Sequence, residues 1–111
     1  MTNVEQARIL VIDDDATVRK SHEAVLRESG YVVDVAENGK EAIARSKAKL
    51  YNLALVDLRL PDMDGIELLT AMREAVPKMA KIIITGYPSL ENAIEAVNRG
   101  ADAYIVKPYN M

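Results

Sequence analysis

Apolar residues along this chain are grouped in two alternating ways. Ile9-Leu10-Val11-Ile12, Leu53-Ala54-Leu55-Val56, Ile82-Ile83-Ile84 and Tyr104-Ile105-Val106 are short unbroken runs. Such runs predict strands covered on both faces, as in a parallel sheet. Tyr31-Val32-Val33-Asp34-Val35 is a weaker fifth run. Between the runs, apolar residues recur every three or four positions, the period of a helix with one buried face. Val18, His22, Val25, Leu26 and Ser29 share one such face, and Ala42, Ile43 and Ser46 a second. Ile66, Leu69 and Met72 make a third, and Leu90, Ala93, Ile94 and Val97 a fourth. Asp15, Asp64 and Ser89 stand where helix N-caps are expected, Gly30 is placed to end the first helix, and Asn38-Gly39 leads into the second. Pro77 closes the third pattern, and all five glycines fall at predicted boundaries. The alternation predicts one α/β domain of βα repeats around a parallel sheet.

The polar residues that close these runs change the picture. The first run leads into Asp13-Asp14, the Leu53 run into Asp57, the Ile82 run into Thr85 and the Tyr104 run into Lys107. If the strands are parallel in one sheet, these ends meet along a single edge, where open α/β sheets bind ligands. Three carboxylates ~4 Å apart repel by a few kcal/mol per pair even at an effective dielectric of ~20, so they require a cation. Hard oxygen donors with open positions suit Mg²⁺, which keeps waters and takes one or two carboxylates with a phosphate oxygen. Lys107 adds a second positive charge and Thr85 a hydroxyl donor. The set can neutralise and orient a phosphoryl group, with the central carboxylate as its nucleophile. A lone strand-end Asp is usually a cap or turn residue; four matching strand ends are harder to explain that way.

Val11-Ile12-Asp13-Asp14-Asp15, Val56-Asp57-Leu58-Arg59-Leu60-Pro61-Asp62-Met63-Asp64-Gly65, Ile84-Thr85-Gly86 and Val106-Lys107-Pro108 occur in that order. Over nearly the whole chain they resemble the receiver domain of bacterial two-component response regulators, the Asp57-to-Gly65 segment most specifically. The resemblance implies a doubly wound, flavodoxin-like, five-stranded parallel sheet of order 2-1-3-4-5 with helices on both faces. It implies that Asp57 accepts a phosphoryl group from a phosphohistidine of a sensor kinase or phosphotransfer protein. Asp14 and Asp57 would hold Mg²⁺ directly, Asp13 mainly through water and Arg59 through its backbone carbonyl. Lys107 would pair with Asp57 and later with the phosphoryl group, and Thr85 would hydrogen-bond a phosphoryl oxygen. Tyr104 matches an aromatic that swings inward as the threonine moves. The Lys107-Pro108 bond is expected to be cis. The side chains of Arg59 and Tyr87, two residues past the acceptor and the threonine, are placed to tune hydrolysis. An output domain or partner of unknown identity would read the change.

By the same resemblance, residues 1–111 form a receiver truncated at its C-terminus, ending where the family's fifth helix begins. A missing fifth helix is expected to bare apolar side chains of strands one, three and five and to favour a homodimer through that face.

Composition narrows the alternatives. At 111 residues, half of them hydrophobic, the chain fits one domain. A net charge of −3 with scattered basic residues gives no grip on nucleic acid. The absence of cysteine excludes disulfides, thiolate metal sites and thiol nucleophiles. No apolar stretch approaches the ~20 residues that span a bilayer, and residues 1–6 do not read as a signal peptide, so a cytoplasmic location is expected. No glycine pattern for dinucleotide or P-loop binding is present. His22, the only histidine, lies on an apolar helix face and is expected to be packed. Asp62 and Asp64 read as loop and cap residues, and Lys47 and Lys49 as a solvated helix end. The expectation is a switch with its own phosphotransfer and autodephosphorylation chemistry, not an enzyme acting on a metabolite. An unphosphorylated interaction module would usually lack one of the five site residues, and all five are present. An aspartyl-phosphate phosphatase generally needs a second acid where Arg59 stands. An FMN binder needs a glycine- or serine-rich loop after the first strand.

Overall fold

A computed structural model describes residues 7–86 and 88–107. Strands and helices alternate as β1 (Arg8–Ile12), α1 (Ala16–Glu28), β2 (Val32–Ala36), α2 (Gly39–Ala48), β3 (Leu53–Asp57), α3 (Gly65–Ala75), β4 (Ala80–Thr85), α4 (Leu90–Asn98) and β5 (Ala103–Val106). The sheet is parallel throughout, in the order β2-β1-β3-β4-β5. Its register sets Ile12 beside Val56, Asp57 beside Ile84 and Thr85 beside Val106. Asp13, Asp57, Thr85 and Lys107 therefore leave the sheet at one edge.

The helices start where the side-chain oxygens of Asp15, Asn38, Asp64 and Ser89 accept backbone N–H bonds from the first turn. Gly30, just past the C-cap Ser29, turns the chain with φ +96°, a conformation that costs glycine little. Alternation along the strands divides the core in two. Leu10, Ile12, Ala54, Val56 and Ile83 pack with Ala42 of α2, Leu68, Leu69 and Met72 of α3 and Ala96 of α4. On the other face Ile9, Val11 and Val33 pack with Leu26 of α1. His22 is buried on that side, while Val25 and Ser29 at the helix margin are exposed.

Two expectations are corrected. The stripe Leu90, Ala93, Ile94 and Val97 does not bury as a face: Leu90, Ile94 and Val97 are 76%, 51% and 65% exposed. α4 instead sets the small, fully buried Ala96 against the core, and it packs mainly on α3 and the edge strand β5. A short helix at a sheet edge needs little apolar area to seat it, and a small residue permits the closest approach. Among the described residues, the part of the sheet face expected to be bare is corrected for strand one alone. Ile9 and Val11 of β1 are buried, because α1 packs on β1 and β2. The side chains left partly open are Leu53 and Leu55 of β3, Ile82 of β4 and Ile105 of β5. No helix among the described residues is long and apolar enough to cross a membrane.

Candidate functional site

The acidic pair follows β1 directly, and backbone geometry sets its two members apart. Asp13 is buried: its Oδ1 accepts the Asp15 N–H at 2.9 Å, and its carbonyl accepts from Arg19 Nη1 at 2.9 Å. Asp14 is exposed. Asp57 ends β3 half-buried, with Oδ1 accepting the Arg59 N–H at 3.2 Å. Carboxylate oxygens of Asp13, Asp14 and Asp57 all lie within 4.8 Å of one another. Lys107 reaches in from beyond β5, its Nζ 3.1 Å from Asp13 Oδ2 and 3.9 Å from Asp57 Oδ2. The lysine is thus shared, and it sits closer to Asp13 than to the Asp57 partner expected from sequence. A crevice of about 520 Å³ opens here, with Asp13, Asp14, Asp57, Arg59 and Lys107 among its walls.

Desolvation and the neighbouring Asp13 push the Asp57 carboxyl up to about 6, against the lowering effect of the Arg59 N–H and Lys107. A hard-oxygen set with this excess of negative charge fits a divalent cation such as Mg²⁺. His22 lies under the site, where burial lowers its pKa and favours the neutral ring, so it packs as the sequence suggested.

Thr85 is fully buried at the end of β4, and its carbonyl accepts the Lys107 N–H at 2.7 Å. This backbone bond joins the end of β4 to the residue that reaches the carboxylates. Tyr104 packs against the larger core cluster, so its ring points inward, and its hydroxyl is buried with no hydrogen-bond partner among the described residues. Tyr87 and Pro108 lie outside the described residues, and with them the second tuning side chain and the cis bond.

The β3–α3 loop that carries Arg59 is pinned by contacts the sequence did not reveal. Asp62 accepts from the Gly39 N–H at 2.8 Å and the Lys40 N–H at 2.9 Å, capping α2 from across the fold. The backbones of Arg59 and Asp64 pair as an isolated antiparallel β-bridge, and the Gly65 N–H donates to the Leu58 carbonyl at 2.7 Å. Gly65 is required by close approach, since a Cβ there would stand 2.5 Å from the Asp57 carbonyl oxygen.

The family model described as "Response regulator receiver domain" matches residues 9–111. This chain belongs to that family. The receiver is 45% identical to a CheY-like response regulator receiver domain protein of Methanospirillum hungatei, with a TM-score of 0.93 over 96% of this chain and 85% of that one. It is 33% identical to a response regulator of Burkholderia pseudomallei described with a phosphorylated aspartic acid, a calcium ion and citrate, with a TM-score of 0.90 over 95% of this chain and 62% of that one. Among curated proteins, it is 40% identical to the transcriptional regulatory protein ZraR of Klebsiella oxytoca, over 94% of this chain and 24% of that protein. It is 38% identical to the transcriptional regulatory protein ResD of Bacillus subtilis, over 99% of this chain and 45% of that protein. The receiver therefore spans about a quarter to a half of the length of these curated relatives.

Proposed function

We propose that Asp57 accepts a phosphoryl group from a phosphohistidine of a sensor kinase or phosphotransfer protein in the cytoplasm, and that the modified site switches a surface read by an output domain or partner. The observation that carries this reading is the meeting of three carboxylates and one lysine at the edge where the strands end. Asp13, Asp14, Asp57 and the Arg59 carbonyl would hold Mg²⁺, which when bound offsets the acidic charge and polarises the phosphoryl oxygens. An Asp57 carboxylate oxygen attacks phosphorus as the bond to the donor's imidazole nitrogen breaks. Lys107, poised between two carboxylates, pairs with the incoming charge. The Burkholderia relative, described with a phosphorylated aspartic acid and a calcium ion, supports both assignments.

The switch runs through Thr85 and Tyr104. The Lys107 N–H to Thr85 carbonyl bond ties the lysine that meets the phosphoryl group to the end of β4. Moving a conformational equilibrium from 1:99 to 99:1 takes ~5.5 kcal/mol of differential binding, an order that a new dianion among these groups can supply. Arg59, exposed at the crevice wall, obstructs attacking water, so Arg59→Ala shortens the life of the phosphorylated form.

Acetyl phosphate with Mg²⁺ followed by intact-mass measurement tests the central step. A labile gain of roughly 80 Da, one phosphoryl group, that disappears in Asp57→Ala supports it. An unmodified wild-type chain, or the same gain in Asp57→Ala, rejects it.

A further inference from the structure

The opposite rim of the sheet, where the strands begin, carries a second group of charged residues. Lys81, the second residue of β4, is 3% exposed. Its Nζ donates to the Met79 carbonyl at 2.7 Å, and no carboxylate among the described residues lies within 4.0 Å of it. Asp102, whose charge favours the ammonium from further off, accepts the Lys81 backbone N–H at 2.8 Å. An ammonium has three donors, and a buried one without a close ion pair is costly. Lys81 lines a crevice of about 320 Å³ together with Arg73, Lys78, Asn98 and Asp102. Three cations face one carboxylate there, in a chain whose net charge is −3. The carbonyl end of α4 takes up part of this positive potential, Arg73 donating to the Asn98 carbonyl at 3.4 Å. Carbonyl dipoles carry no formal charge, so the excess remains.

Pro77, Lys78 and Met79 are common walls between this crevice and an adjoining hollow of about 470 Å³. The second hollow is mainly apolar, lined also by Tyr51, Val76 and Leu50, and Leu50 is 89% exposed. A cationic pocket joined to an apolar trough matches a ligand that presents a carboxylate and an apolar side chain side by side. We propose that this rim docks an acidic segment of a partner protein, with a Glu or Asp carboxylate at Lys81 and Arg73 and a neighbouring apolar side chain on Leu50 and Val76. A free inorganic anion would leave the trough uncovered.

The probe is a blocked pentapeptide carrying Leu and Glu two positions apart, titrated into the ¹⁵N-labelled protein. Saturable shifts confined to the amides of residues 50–52, 76–81 and 99–102 are expected. Loss of the charge-assisted contact should weaken binding about tenfold when Glu in the peptide becomes Gln, and about as much in Lys81→Met. Arg73→Gln, which alters an exposed wall without entering the core, must show the same direction if Lys81→Met fails to fold. Asp57→Asn, at the other rim, must leave the affinity unchanged. Equal binding of the Glu and Gln peptides, shifts that map elsewhere, or inorganic phosphate binding there as tightly as the peptide would each overturn the proposal.

Discussion

Asp57→Asn should make the metal-free protein more stable, although it removes the residue on which function turns. The perturbation deletes one negative charge from a cluster whose oxygens lie within 4.8 Å of one another. At an effective dielectric of ~20, each carboxylate pair at that distance repels by about 3.5 kcal/mol. Lys107, 3.9 Å from Asp57, returns about 4 kcal/mol by the same rule. Two repulsions outweigh one attraction by about 3 kcal/mol, and burial, the larger cause, acts in the same direction with Asp13 to raise the carboxyl's pKa to about 6. Because Asp14 is exposed and screened by solvent, a gain of about 1–2 kcal/mol is the realistic expectation. For a domain of this size that is a rise in melting temperature of about 4–8 °C. The sign with pH follows from linkage: native Asp57 binds its proton more tightly than the unfolded chain does. The wild type therefore loses stability as pH rises from about 4 to about 6, and the loss is complete above that. Thermal denaturation of both proteins without divalent metal, at pH 5 and pH 7.5, is the assay. The gap should be larger at pH 7.5, and Mg²⁺ should raise the wild type more than the variant. An Asp57→Asn protein that melts at or below the wild type at pH 7.5, or a gap indifferent to pH, would refute the electrostatic reasoning.

Gly65→Ala forces a Cβ to within 2.5 Å of the Asp57 backbone oxygen, so urea denaturation should show a loss of more than about 2 kcal/mol, with slower labelling by acetyl phosphate. Tyr51→Phe removes the 2.6 Å bond to Asp34 and should cost about 1–2 kcal/mol in the same assay. Burial and that bond push the Tyr51 hydroxyl up to about 12, so ultraviolet titration should show one tyrosine that ionises only as the fold is lost at high pH. Tyr104→Phe deletes a buried hydroxyl that has no partner among the described residues; calorimetry should find it neutral or stabilising by up to about 1 kcal/mol, and a clear loss would show that the hydroxyl is held.

The features legible in the sequence are those governed by neighbours along the chain. Period and run length marked all five strands and four helices, and the caps Asp15, Asn38, Asp64 and Ser89 stand where their oxygens meet the N–H groups of the next turn. Strand ends in one parallel sheet must share an edge, so the gathering of Asp13, Asp57, Thr85 and Lys107 also followed from order alone. Other features depended on residues brought together from far along the chain. The preference of Lys107 for Asp13 joins residues 94 positions apart and is set by less than 1 Å of packing. Asp62 caps a helix that begins 23 residues earlier, and Lys81 is buried in a crevice it shares with residues of α3 and α4. The outward stripe of α4 could not be read from periodicity, because Ala96 alone seats that helix. Hydrogen bonds within a turn and the alternation of a strand are local; burial and charge pairing belong to the assembled fold.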